Sequence, residues 1–143
     1  EPLDADPPAR SLCGRCSACI DACPTQAIHE PFVVDARRCL AFHTIENREE
    51  ELPKNIRAAL GPWVAGCDIC QDVCPWNHRS LPQSNDPDMQ PRSWLLNLHK
   101  EQIQTWDDSV WEQKLRGSAL RRIKPWMWRR NAAAAQPDPT PTL

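Results

Sequence analysis

Apolar positions along this chain come in short groups broken by proline, glycine and charge, and the grouping changes character near residue 92. Before that point the runs are brief. Residues 25–28 predict a single helical turn, and residues 32–34 predict a β-type run just after Pro31. Asp35 suits the N-cap of a helix carrying Arg37, Arg38, Cys39, Phe42 and Ile45. Residues 46–51 are mostly charged and predict solvated chain. Pro53 and the pair Gly61-Pro62 then frame a second short helix over 54–60. Residues 63–66 lead on in extended form.

Past residue 92 the period turns helical. Trp94, Leu95 and Leu98 share one face, and Ile103 and Trp106 continue the packing. Asp107 or Asp108 caps a helix with Val110, Trp111 and Leu115 at helical spacing, closed by Gly117. Ser118 caps a further helix with Leu120 and Ile123 ahead of Pro125, and residues 131–135 favour helix again. The resulting plan is a linker over 1–11, a cysteine-rich unit over 12–76, a polar linker loop over 77–92, a helical segment over 93–135 and a disordered tail over 136–143. The fold class expected is mainly α with short β. Stacked helix pairs need neighbours to bury their faces, and residue 1 is Glu rather than Met, so the expectation is a piece of a longer protein.

Composition sharpens this picture at three points. Eight Cys, fifteen Pro and only four Gly stand among 143 residues, with seven Trp, two Phe and no Tyr. A chain this short and this interrupted has little apolar area to bury, so a cross-link or a metal is expected to hold the first half. No apolar run approaches the roughly 18 residues of a membrane-spanning helix, which argues against a membrane-embedded protein.

The cysteines decide between cross-link and metal. The first four read Cys13-Gly-Arg-Cys16-Ser-Ala-Cys19-Ile-Asp-Ala-Cys23-Pro24, and the last three read Cys67-Asp-Ile-Cys70-Gln-Asp-Val-Cys74-Pro75. Cys39 stands alone between them. The first run is the C-x2-C-x2-C-x3-C-P spacing of two-cluster iron–sulfur proteins, in which the fourth Cys serves the other cluster. Thiolates three residues apart wrap one cubane, and small residues such as Gly14, Ser17 and Ala18 let backbone N–H groups approach it. The fourth Cys is expected to have turned away and to start a short helix, with Pro24 and Pro75 fixing φ and withholding an N–H. Crossover then assigns Cys13, Cys16, Cys19 and Cys74 to one [4Fe-4S] cluster, and Cys23, Cys39, Cys67 and Cys70 to the other. A zinc ribbon has no use for a third Cys at this spacing, and disulfides leave the repeated Cys-Pro unexplained. His29, His43, His78 and His99 lack ligand spacing and read as surface or internally satisfied groups.

Charge is uneven although the formal net charge is only -2. Lys114, Arg116, Arg121, Arg122, Lys124, Arg129 and Arg130 fall in one stretch without an acidic residue, interleaved with Trp126, Met127 and Trp128. Such a stretch suits a local nucleic-acid contact, with arginine on phosphate and Trp stacking on a base. The plainer reading is a solvated face whose tryptophans are core.

Several longer stretches resemble the epoxyqueuosine reductases. They are the first cysteine run through Ile28, Asp35-Ala-Arg-Arg-Cys39 with Thr44-Ile-Glu46, Gly66-Cys-Asp-Ile-Cys-Gln-Asp-Val-Cys-Pro-Trp-Asn77, and Arg116-Gly-Ser-Ala-Leu-Arg-Arg122 followed by Arg130-Asn-Ala-Ala133. The resemblance covers about residues 12–135 and departs from the family at Ala41-Phe42-His43, where Ser-Tyr-Leu is usual. It implies a two-cluster ferredoxin-like domain followed by the start of an α-helical (HEAT-like) repeat region. It implies a cytoplasmic oxidoreductase that reduces epoxyqueuosine in tRNA to queuosine, with two [4Fe-4S] clusters, cobalamin and an external electron donor. The corrinoid-binding domain and the catalytic acid are expected upstream of residue 1. Ala41 and Asp68 would stand near cobalamin, and Arg121, Arg122 and Lys124 would contact tRNA. A plain electron-carrying ferredoxin, which has no need of residues 94–135, and a corrinoid-linked reductive dehalogenase, which has no use for the basic run over 114–130, are the competing classes.

Overall fold

The computed structural model describes residue 7, residues 11–78 and residues 84–136, apart from the side chain of Asp88. The expected linker and tail lie outside these residues except for Pro7, Ser11 and Gln136, as does the middle of the loop expected over 77–92. Among the described residues there are seven short helices and one two-stranded sheet: α1 Ala18–Asp21, β1 Ile28–Glu30, β2 Val33–Val34, α2 Leu40–Ile45, α3 Lys54–Ala59, α4 Ile69–Asp72, α5 Lys100–Gln104, α6 Asp108–Leu115 and α7 Pro125–Ala134. The chain is therefore mostly helical with a minimal sheet. No helix of the described residues is long and apolar enough to cross a membrane.

Local chemistry shifted several elements from their expected places. Residues 24 and 25 form a turn rather than a helical turn, and Gln26 follows at φ +52°. Continuous helix cannot pass a left-handed residue, so the chain enters β1 instead. Phe32, at φ +67°, belongs to the connecting turn, which leaves Val33–Val34 to pair antiparallel with β1. The helix expected after Asp35 is split. Asp35 Oδ1 accepts from Arg37 N and caps a 3-10 turn over Ala36–Arg38, then Cys39 is extended and α2 starts after it. Asp35 also takes two side-chain bonds from Arg37, which tie the cap to a competing partner.

Each fourth cysteine corrects a further expectation. Cys23 and Cys74 follow the short helices α1 and α4 rather than starting helices. The helical turn thus carries Cys19 and Cys70, and the fourth thiol emerges where the turn ends.

In the second half, Asp107 caps α6 by accepting from Val110 N at 2.8 Å, and Gly117 at φ +70° ends it in the left-handed form that favours glycine. Residues 93–97 form turns rather than helix, and Ser118 caps a 3-10 turn over Ala119–Arg122. Pro125 begins α7 instead of ending a helix, since proline at the first helical position gives up an N–H that would be unpaired there anyway. Trp126, Met127 and Trp128 are consequently helical.

Two cores result. Ile103, Trp106, Leu115, Ile123, Met127, Trp128 and Ala132 form the larger, with Ile45, Val64 and Ala65 of the cysteine-bearing half packed against it. Leu40, Leu52, Ile56 and Leu60 form the smaller, touched by Cys67 and by Ala134 of α7. Helix α7 therefore joins both. Gln136 N continues the contact by donating to Gly61 O at 2.8 Å.

Candidate metal centre

Two cavities in the first half are lined by cysteine. One, of about 260 Å³, is walled by Cys13, Cys16, Cys19 and Cys74 with Leu12, Ala18, Pro75 and Trp76. The other, of about 250 Å³, is walled by Cys23, Cys39, Cys67 and Cys70 among Pro24, Ile28, Val34, Leu40, Ala41, Asp68 and Ile69. All eight thiols are free. The sequence groups Cys23 with Cys13–Cys19 and Cys74 with Cys67–Cys70, whereas the fold brings each to the opposite cavity. Contact between α1 and α4 makes the exchange possible.

The donor set fits a cluster better than a single ion. Tetrahedral zinc at about 2.3 Å from each sulfur draws its thiolates to within roughly 3.8 Å of one another. Among the described residues no three His, Cys, Asp or Glu side chains converge in that way. Four soft thiols spread around a mainly apolar cavity leave room for an inorganic core between them.

Two thiols of the second cavity are shifted in opposite directions. Burial opposes ionisation of Cys23, but the backbone N–H groups of Ile28 and Ala27 and the Thr25 hydroxyl outweigh it, so its thiol lies below the ordinary value. The Ala27 N–H donates to Cys23 Sγ at 3.2 Å. Cys67 is shifted the other way: burial pushes its thiol up against the N–H of Ile69, and the neighbouring Cys70, Cys39 and Cys23 add to the rise. Cys13 and Cys16 of the first cavity are exposed.

Ala41 and Asp68 both line the second cavity, Ala41 half-buried and Asp68 exposed. Phe32, Val33, Val34 and Phe42 are exposed apolar residues, of which Val34 lines the same cavity. His43 is buried: Asn47 Oδ1 accepts from Glu49 N, which leaves Nδ2 to donate to His43 Nδ1, and His43 Nε2 donates to Arg37 O at 2.8 Å. It is a satisfied core histidine.

The basic stretch is less free than its sequence suggests. Arg121 pairs with Glu112 and lies over Trp111, and Arg122 pairs with Glu46. Arg129 donates to Trp106 O and approaches Asp108, while Lys114 lies over Trp94 and Trp106. Three of the seven charges are thus met by acids outside the stretch, Glu112, Glu46 and Asp108. Lys124 is exposed, outside any ion pair among the described residues. A cleft of about 780 Å³ also gathers Arg48, Arg57, Arg129 and Arg130 beside Trp126, together with Glu50 and Glu51.

Sequence reasoning missed one group, centred on Arg130 and Asn131. Arg130 donates to His43 O, Asn47 O and Glu49 O, and Asn131 donates to Thr44 O and Val64 O. The signal was present, since Thr44-Ile-Glu46 and Arg130-Asn131 belong to the stretches noted above. Their contact across more than 80 residues was not visible.

Comparison with known proteins agrees with this arrangement. The family described as "4Fe-4S double cluster binding domain" matches residues 12–77. The epoxyqueuosine reductase of Synechococcus sp. (strain CC9605) is 94% identical over 143 residues, which is all of this chain and 44% of that protein. That of Synechococcus sp. (strain RCC307) is 60% identical over 131 residues, 92% of this chain and 40% of that protein. The chain thus spans less than half the length of these relatives. Among solved structures, epoxyqueuosine reductase from Bacillus subtilis superposes with a TM-score of 0.83 at 29% identity, covering 93% of this chain and 35% of that one. A crystal structure of epoxyqueuosine reductase with a tRNA-Tyr epoxyqueuosine-modified tRNA stem loop gives the same TM-score, identity and coverage. In sequence and in fold, the chain belongs to the epoxyqueuosine reductases and matches the part of them that carries the double-cluster domain.

Proposed function

We propose that this chain is the electron-delivery and tRNA-docking part of an enzyme that reduces epoxyqueuosine in tRNA to queuosine. The observation that carries the reading is the pair of four-cysteine cavities, each drawing on both cysteine motifs, on a chain that matches the family in order along its length. Cys13, Cys16, Cys19 and Cys74 would hold one [4Fe-4S] cluster, and Cys23, Cys39, Cys67 and Cys70 the other. Bound there, the clusters would supply electrons one at a time, taken from an external donor. Removing the epoxide oxygen as water consumes two electrons and two protons, so a two-centre relay suits the reaction.

The chain's own share is orientation and tuning. The N–H groups directed at Cys23 favour added negative charge in the second cavity. Ala41 and Asp68, which line the second cavity together with Val34 and Leu40, would stand near cobalamin. Cobalamin would supply the low-valent cobalt for epoxide reduction, and the catalytic acid would come from outside this chain. Residues 12–76 would form the ferredoxin-type unit and residues 93–135 the start of a HEAT-like repeat region, joined by the loop over 77–92. Arg121, Arg122 and Lys124 would meet tRNA phosphates, with the arginine-lined cleft beside Trp126 extending that surface. A cytoplasmic setting follows from a tRNA substrate.

The test uses the full-length protein, reconstituted with iron and sulfide without oxygen and then with cobalamin. The expected result is about eight iron per chain and conversion of an epoxyqueuosine-containing stem loop, with loss of conversion when cobalamin is withheld. Reducible clusters without RNA conversion would leave the plain ferredoxin reading in place. Turnover of a small organohalide instead would favour the dehalogenase.

A further inference from the structure

Asn131 is fully buried, and its side-chain amide makes every hydrogen bond available to it. Its Nδ2 donates to Thr44 O and to Val64 O, both at 2.8 Å. Its Oδ1 accepts from Arg130 Nε at 3.0 Å and from Arg130 Nη2 at 2.9 Å. A buried amide is costly unless satisfied, and this one is satisfied by two segments that both lead to cysteines of the second cavity.

Thr44 lies in α2, whose N-cap is Cys39. Val64 lies three residues before Cys67. The two segments also meet directly through the Thr44 hydroxyl, which donates to Leu40 O at 3.0 Å and accepts from Gly66 N at 3.0 Å. Thr44 is as buried as Asn131. Gly66 holds φ +85°, a conformation a side chain resists, so the residue preceding Cys67 is shaped to present its N–H to that hydroxyl. Cys39 and Cys67 are far apart in sequence, and neither sits in a helix that would fix it against the other.

We propose that Asn131 is a positioning residue for the second metal centre. Acting with Thr44, it sets the separation of the segments that present Cys39 and Cys67. Arg130 supports it by orienting the amide and by binding His43 O within α2 and Asn47 O just past it. The inference rests on the proposed assignment of Cys23, Cys39, Cys67 and Cys70 to one cluster. It adds a role for the helical half, which reaches into the electron-transfer unit through α7 rather than serving RNA alone. Groups that orient metal ligands in this indirect way change metal affinity on the order of 10- to 100-fold.

The test is Asn131→Asp in the full-length, reconstituted protein. Aspartate keeps the volume and the acceptors for Arg130 but turns the two donors into acceptors facing two carbonyls. Iron is removed with a chelator over time, and newly freed cysteines are alkylated and identified by mass spectrometry. We expect Cys23, Cys39, Cys67 and Cys70 to be freed on the order of 10- to 100-fold faster than in the unsubstituted protein. Release of Cys13, Cys16, Cys19 and Cys74 is expected to be unchanged. Unchanged release of all eight would overturn the proposal, and so would equal acceleration of both sets, which is the mark of general loosening. Should Asn131→Asp fail to fold, Thr44→Val removes the hydroxyl at constant shape and is expected to speed release of the same four; unchanged release there overturns the proposal too. The unsubstituted protein tests the underlying assignment separately. Release in other groupings would sink both, whereas release in these two quartets with a silent Asn131→Asp would sink only the positioning role.

Discussion

The two halves of the chain are built on different principles. Residues 12–76 contain four buried residues in their own small core, Leu40, Leu52, Ile56 and Leu60, and arrange eight thiols around two cavities. Residues 93–135 bury seven residues around Trp106 and Trp128, and contain no cysteine. The first half has chemistry in excess of packing, the second packing in excess of chemistry. A small unit with little apolar burial needs a metal or a cross-link for stability, so metal removal should divide the halves.

That division gives the largest expected effect. Chelation should strip ordered structure from the cysteine half while the tryptophan fluorescence of the buried Trp106 and Trp128 changes far less. Single cysteine variants sharpen it further. Cys74→Ser should lose the cluster of Cys13, Cys16 and Cys19, and Cys23→Ser should lose the one of Cys39, Cys67 and Cys70. Either variant should fall from about eight iron to about four. Alkylation of sequence neighbours alone would show that the exchange between motifs does not operate.

Packing supplies the converse test. Leu115 is completely buried in the larger core. Leu115→Ala removes buried methyl groups and leaves a cavity, at a cost of about 2–5 kcal/mol. The expected outcome in thermal or denaturant unfolding is a loss of that size with iron content retained. Loss of iron in step with stability would mean that the two halves stand or fall as one.

These contrasts also explain what the sequence could tell. Cysteine spacing is local chemistry, so the two sets of four cysteines that line the cavities were legible from the residues alone, as were the caps at Asp107 and Ser118 and the helix after Pro53. Positions decided by left-handed residues were not, because nothing marks Gln26 or Phe32 as unusual. Charge pairing was equally hidden. Glu46 and Arg122 are 76 residues apart, and only folding brings them together.

The proposed RNA surface is where that hidden pairing matters. Arg121 and Arg122 are partly neutralised by Glu112 and Glu46, whereas Lys124 is not. Replacing all three with Gln in the full-length protein should weaken stem-loop binding and flatten its salt dependence, the logarithmic slope falling by about one for each phosphate no longer neutralised. Lys124→Gln alone should keep most of that effect if the arginines are held by their acids. An unchanged affinity and slope in the triple variant would assign the stretch to the core of the helical half and leave docking to the arginine-lined cleft or to other parts of the protein. Iron content should stay constant throughout, since no ligand lies in this stretch.

The smallest effect compares one carboxylate from each half. Asp35 lies below the ordinary carboxylate range chiefly through the side-chain bonds from Arg37, assisted by the Arg37 backbone N–H and by the charges of Arg37 and Arg38. Asp107 is lowered chiefly by the backbone N–H of Val110, then by Ser109, with Arg129 a lesser influence. In both the folded value is depressed, so each cap stabilises above the unfolded value near 3.9 and loses its contribution as pH falls through the depressed one. The cysteine-half cap is held mainly by an arginine and the helical-half cap mainly by the backbone. Salt screens the charge contribution at an exposed ion pair far more than it weakens a backbone hydrogen bond. Carboxyl titration followed by NMR should therefore show Asp35 moving back toward its ordinary value at high salt, while Asp107 moves little. Equal movement of both would mean that charge, rather than the capping bond, governs Asp107 as well.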